Sequence, residues 1–150
     1  MRIALSIALT ASLLWSSAAR AESYQCISDM ATGFRYDTAR KEWREASFRA
    51  RQRYLLTRPS EAEVALMKPH PVAWILKAAH NNSVEGTCSK DFGTFEFVMC
   101  SGISEFRFSR VTGRFLRAVL SGYYLDDPNS RWPEGGLTPH VEIGRCSLIP

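Results

Sequence analysis

From Tyr24 onward the apolar residues of this chain recur mostly at every second position, a period that confines it to β-strands with one face buried. Tyr24 and Cys26 alternate with polar neighbours, and Gly33 opens Phe34-Arg35-Tyr36, whose two aromatics share a face in an extended chain. The stretch 37–42 is polar and turn-like and Trp43 begins a return, so a hairpin is expected. In 48–56 the even positions Phe48, Ala50, Tyr54 and Leu56 suit a core face and Arg49, Arg51 and Arg53 a solvent face, which predicts one continuous strand. Further strands are read at 95–99, 106–108 and 114–124, with Ser101-Gly102 and 110–113 as turns between them. Their close spacing predicts an antiparallel meander.

Helical signals are confined to one place. Ser60 and Glu63 have the spacing of a capping box after Pro59, Val64, Leu66 and Met67 follow, and Pro69 and Pro71 end the run. The segment around Val72, Trp74 and Leu76 also contains Ala73 and Ile75, which makes it ambiguous, and it is read as strand. Residues 126–139 hold three prolines and two glycines and form a long loop, before 140–146 return as a last strand. The expected fold is mainly β: a single antiparallel barrel or sandwich with one short helix.

Residues 1–21 stand apart from that pattern. Arg2, the apolar run from Ile3 to Trp15 and the small-x-small triplet Ala19-Arg20-Ala21 read as a cleaved export signal. The run is too short for a spanning helix, and Cys26 lacks the context of a lipid-anchored cysteine, so no membrane anchor is expected. Residues 22–150 then form one domain in the periplasm or outside the cell, long enough for a single core. Of 19 basic and 15 acidic residues, Arg2 and Arg20 belong to the signal, which leaves a net charge of +2. That weak balance points to neither nucleic acid nor a membrane surface.

Cys26, Cys88, Cys100 and Cys146 are an even set in an exported chain, the mark of two disulfides. No CxxC occurs and His70, His80 and His140 are scattered, so neither a metal site nor any cofactor is implied. Of the three pairings, Cys88 with Cys100 and Cys26 with Cys146 are favoured, the second tying the first strand to the last.

Cys26, Gly33-Phe34, Tyr36, Trp43 and Phe48 at one end, with Thr112-Gly113-Arg114-Phe115 and Glu142-Ile143-Gly144-Arg145-Cys146-Ser147 at the other, carry a resemblance. The chain resembles the small, exported, β-rich proteins of unknown function found in alphaproteobacteria. The resemblance implies a bacterial, extracytoplasmic origin and carries no catalytic residue across.

Between Arg35 and Arg58 there are eight basic and three acidic residues. On a single strand Arg49, Arg51 and Arg53 would stand roughly 7 Å apart, a row suited to phosphates or carboxylates of an anionic protein or glycan, or simply a solvated face. Asp126, Asp127 and Glu134 share the long loop with Arg131 and Trp132, the tryptophan being a candidate sugar platform, although Asp-Asp-Pro-Asn is also ordinary turn chemistry. Phe92, Phe95, Phe97, Phe106, Phe108, Phe115, Tyr123 and Tyr124 suit a packed core or, alternatively, an apolar cavity. Three functions follow: a binding or inhibitor-like module using Arg49, Arg51, Arg53 and Trp132; a small-ligand carrier with an aromatic-lined interior; and a hydrolase of envelope polymers acting through the loop carboxylates. The first is favoured, since no catalytic motif is present.

Overall fold

The computed structural model describes residues 22–121, 123 and 138–149. Within them the order is β1 (Ser23–Asp37), β2 (Glu42–Phe48), β3 (Arg53–Thr57), α1 (Glu61–Met67), β4 (Trp74–Ala78), β5 (Val84–Cys88), β6 (Phe97–Gly102), β7 (Glu105–Ser109), β8 (Arg114–Val119) and β9 (His140–Leu148). The expected export signal at 1–21 and most of the long loop, including Asp126, Asp127, Arg131, Trp132 and Glu134, lie outside the described residues.

Strands β3 to β9 run as an antiparallel meander, and β1 lies between β3 and β9, which closes an eight-stranded barrel. Closure removes the unpaired edges that an open sheet exposes. The fifteen-residue β1 is longer than the barrel wall. Its first half pairs with β3 through Ser23↔Thr57 to Ile27↔Arg53, and its second half pairs with β2 through Ala31↔Phe48 to Asp37↔Glu42. The expected hairpin therefore projects beyond one barrel rim.

The period-two pattern sorts the strands into an inner and an outer face. Inward positions include Tyr24, Leu56, Trp74, Leu76, Val98, Phe106, Phe108 and Phe115, all buried in one apolar cluster. Gly144 makes room for that cluster, because a Cβ there would run into the Ile27 carbonyl and the Phe115 ring. Phe92 seals the end opposite the hairpin, packing edge-on against Trp74 and Phe108. Asp91 fixes this plug by accepting from Trp74 Nε1 at 2.8 Å and from Arg58 at 2.7 Å.

Both disulfides join neighbouring strands: Cys26 and Cys146 are register partners on β1 and β9, and Cys88 and Cys100 follow directly on the Thr87↔Ser101 pair of β5 and β6. The favoured pairing is the one the fold contains. The capping box is also present, with Ser60 Oγ accepting from the Glu63 amide and Glu63 accepting from the Ser60 amide. Helix α1 is tied to the outer wall by Lys77 Nζ on Glu63 Oε1 at 2.6 Å. That contact, with both of its hydrogen bonds to Ser60, holds the Glu63 carboxyl at about 2.

Several sequence expectations need correction. The single strand over 48–56 is two strands, because β2 stops at Phe48 and β3 starts at Arg53. Ser101-Gly102 is not a turn but the end of β6, and the turn falls at Ile103-Ser104. Strand β6 starts at Phe97 rather than Phe95, and β8 ends at Val119. Strand β5, which carries only Val84 and Cys88 as apolar residues, gave too weak an alternation to be read from sequence.

Candidate functional site

The break between β2 and β3 decides where the basic residues go. Opposite Ser28, Asp29 and Met30 of β1, the returning chain supplies four residues, 49–52, so it bulges away from the sheet. Ser28, itself buried, pins the bulge: its amide donates to Gln52 O at 3.0 Å, and its carbonyl accepts from the Arg51 amide at 3.1 Å. Its hydroxyl lies 3.3 Å from both Gln52 O and the Arg51 amide. Arg51 is held at φ 103°, in the left-handed half of backbone space that a residue with a Cβ rarely enters.

Arg49, Arg51 and Arg53 therefore do not form a row on one strand. Arg49 and Arg51 line an open cleft of about 720 Å³ together with Ser28, Asp29, Ala50 and Gln52, and Arg53 points outward from the start of β3. All three are exposed, and none has an ion pair among the described residues. Trp132, the fourth residue expected at this site, lies outside the described residues.

A second cluster fills the barrel mouth beneath the hairpin, and sequence reasoning missed it. Arg117 on β8 and Glu142 on β9 are register partners, both inward and both almost fully buried. Arg117 donates to Glu142 Oε1 at 3.2 Å, to Glu85 Oε2 at 3.0 Å and to Ser104 Oγ at 2.9 Å. Tyr54 OH donates to Glu142 Oε2 at 2.8 Å. His140 places Nε2 3.0 Å from Glu142 Oε1 and Nδ1 2.6 Å from the Thr138 carbonyl.

The protonation states follow from that geometry. One ring nitrogen of His140 faces a carbonyl and the other a carboxylate, surroundings that favour the protonated ring, whereas Arg117, 3.5 Å from Nε2, opposes it. The Glu142 hydrogen bond raises His140 above its ordinary value against the opposing effect of burial, and the Thr138 carbonyl adds to the rise. Burial alone would raise Glu142, but hydrogen bonds from His140 and Tyr54 and the charge of Arg117 hold it below the usual carboxylate range. Burial likewise pushes the Tyr54 phenol well up, so it stays a donor. When His140 is protonated, two cations face the two carboxylates of Glu142 and Glu85, and both oxygens of Glu142 accept hydrogen bonds. The cluster acts as a polar strut across the mouth, with Glu142 accepting two hydrogen bonds on Oε1 and one on Oε2.

The signal for this strut was present in the sequence. Arg117 sits in phase with Phe115 and Val119, and Glu142 in phase with Gly144 and Cys146, so each is a charge on a buried face. The aromatic set divides: Phe92, Phe106, Phe108 and Phe115 fill the interior, with Phe106 stacked on Phe115 at 5.2 Å, whereas Phe95, Phe97 and Tyr123 are exposed. Tyr124 lies outside the described residues. No protein family, curated protein or solved structure matches the chain.

Proposed function

We propose that this chain is an exported, non-catalytic binding or inhibitor-like module of a bacterial envelope, and that Arg49, Arg51 and Arg53 engage an anionic protein or glycan. The observation that carries the reading is the junction itself: Arg49 and Arg51, without an ion pair among the described residues, on a bulge that Ser28 pins into a disfavoured backbone conformation, with Arg53 beside them at the start of β3. Holding such a residue costs about 1–3 kcal/mol, and native proteins keep such strain mostly where a surface is used. Guanidinium groups suit carboxylate, sulfate and phosphate equally. Two disulfides support an oxidising compartment, as does the export-like N-terminus. Among the described residues no helix is long and apolar enough to cross a membrane. Periplasmic or secreted placement, and kinship with the small exported alphaproteobacterial proteins, belong to the same proposal.

The test is a quantitative pull-down from envelope extract with the mature, oxidised protein and with Arg49→Glu/Arg51→Glu/Arg53→Glu. Partners that leave the wild type as salt rises and fail to bind the variant are the expected result. An unchanged set of partners, with the variant folded by far-UV circular dichroism, refutes the reading.

A further inference from the structure

The outer wall formed by β1, β9 and β8 carries two rows of side chains that the strand register places side by side. One row reads Arg53, Ile27, Arg145, Arg114, through the partners Arg53↔Ile27, Ile27↔Arg145 and Arg145↔Arg114. The next row reads Met30, Ile143, Leu116, Arg107, through Met30↔Ile143, Ile143↔Leu116 and Leu116↔Arg107. Neighbouring strands are about 4.8 Å apart and rows on one face about 7 Å, so the two rows form one continuous surface.

Neither row is what a merely solvated wall requires. Met30, Ile143 and Leu116 are 66, 44 and 42% exposed although they stand together. Arg114 lies directly opposite Arg145, an arrangement of like charges that weakens a sheet. The opposed pair Arg35 and Arg44 on the hairpin is relieved by Asp37 and Glu42, both within 4 Å of Arg44. On the wall Asp29 reaches only Arg145, at 3.5 Å, and Arg114 and Arg53 have no acidic partner among the described residues. Among the described residues Arg114 thus keeps a like-charged neighbour without an acidic group of its own, a place for a partner's carboxylate.

We infer that this wall docks an acidic protein partner, whose carboxylates meet Arg114, Arg145 and Arg53 while an apolar side chain covers Ile143 and Leu116. The inference rests on the binding-module reading and narrows its partner to a protein. A glycan would satisfy the arginines but leave the apolar row uncovered. A second copy of this chain would set one basic row against another. A bilayer calls for an apolar band about 25 Å tall, and here the row of Arg53, Arg145 and Arg114 interrupts the wall.

The experiment uses the ¹⁵N-labelled, oxidised mature protein and four probes: a twelve-residue peptide alternating Glu and Leu, a polyglutamate of equal length, heparin, and phosphatidylglycerol vesicles. The Glu/Leu peptide is expected to bind most tightly and to shift the amides of Leu116, Ile143 and Arg145. Arg114→Glu/Arg145→Glu should weaken it at least tenfold and Leu116→Ser several-fold, with Arg114→Gln/Arg145→Gln as the milder pair if the first fails to fold. Lys68→Glu, an exposed charge in the loop after α1, should leave it within twofold. Equal or tighter binding of heparin or vesicles, concentration-dependent dimerisation through the wall, indifference to Leu116→Ser, or no peptide binding would each overturn the inference. Loss of pull-down partners with Arg49→Glu/Arg51→Glu but not with Arg114→Glu/Arg145→Glu would overturn the wall alone and leave the junction reading standing.

Discussion

Removing Arg117 is the sharpest probe of the barrel mouth. Its side chain is 8% exposed and that of Glu142 only 4%, so Arg117→Ala strands a carboxylate where water does not reach. Breaking a buried ion pair from one side costs about 3–5 kcal/mol. Glu142 keeps Tyr54 and His140, which places the expected loss toward the lower end, near 3 kcal/mol, while Glu85 and Ser104 also lose a donor. Against a total of roughly 5–15 kcal/mol this is a large share, and it corresponds to a fall in melting temperature on the order of 10 °C. Urea denaturation of the oxidised mature protein, followed by far-UV circular dichroism, gives the number. Glu142→Gln in the same chain supplies the control: once the stranded charge is neutral, the double variant should lose less than the sum of the singles by about 1–3 kcal/mol. A loss below about 1 kcal/mol for Arg117→Ala, or strict additivity, would refute a buried and coupled network.

Two further outcomes are expected. Because the folded pKa of His140 lies above its ordinary 6.5, its contribution is complete below that value and disappears as pH rises through the folded pKa; stability should therefore fall as pH rises above 6.5, and His140→Gln should flatten that fall, with an imidazole titration by NMR that stays at or below 6.5 counting against it. Cys88→Ser opens the loop of sequence separation 12 and should cost about 3 kcal/mol in denaturant, with Cys100 appearing as a thiol on mass mapping while Cys26 stays linked to Cys146.

What the sequence determined by itself was the class of local structure and the covalent frame. Alternation alone separates the inward Tyr24, Leu56, Phe106 and Phe108 from their outward neighbours, because a strand turns every second side chain to the same face. The capping box at Ser60 and the helix end before Pro69 are equally local, since they need only residues three or four apart. The disulfide pairing was legible because four cysteines leave few alternatives, and the favoured set joins the ends of the chain. Three things were left to the tertiary structure. Whether the sheet opens into a sandwich or closes into a barrel depends on β1 pairing with β9 across most of the chain, a contact that no local pattern encodes. The arginines of 48–56 keep a perfect alternation, yet one extra residue opposite Ser28 breaks the strand and moves Arg49 and Arg51 into a bulge, because register is fixed by the partner strand and not by the chain itself. Arg117, Glu85 and the pair His140 and Glu142 lie on three different strands and meet only once the barrel has closed, which is also the condition under which burying them is stabilised by their mutual hydrogen bonds.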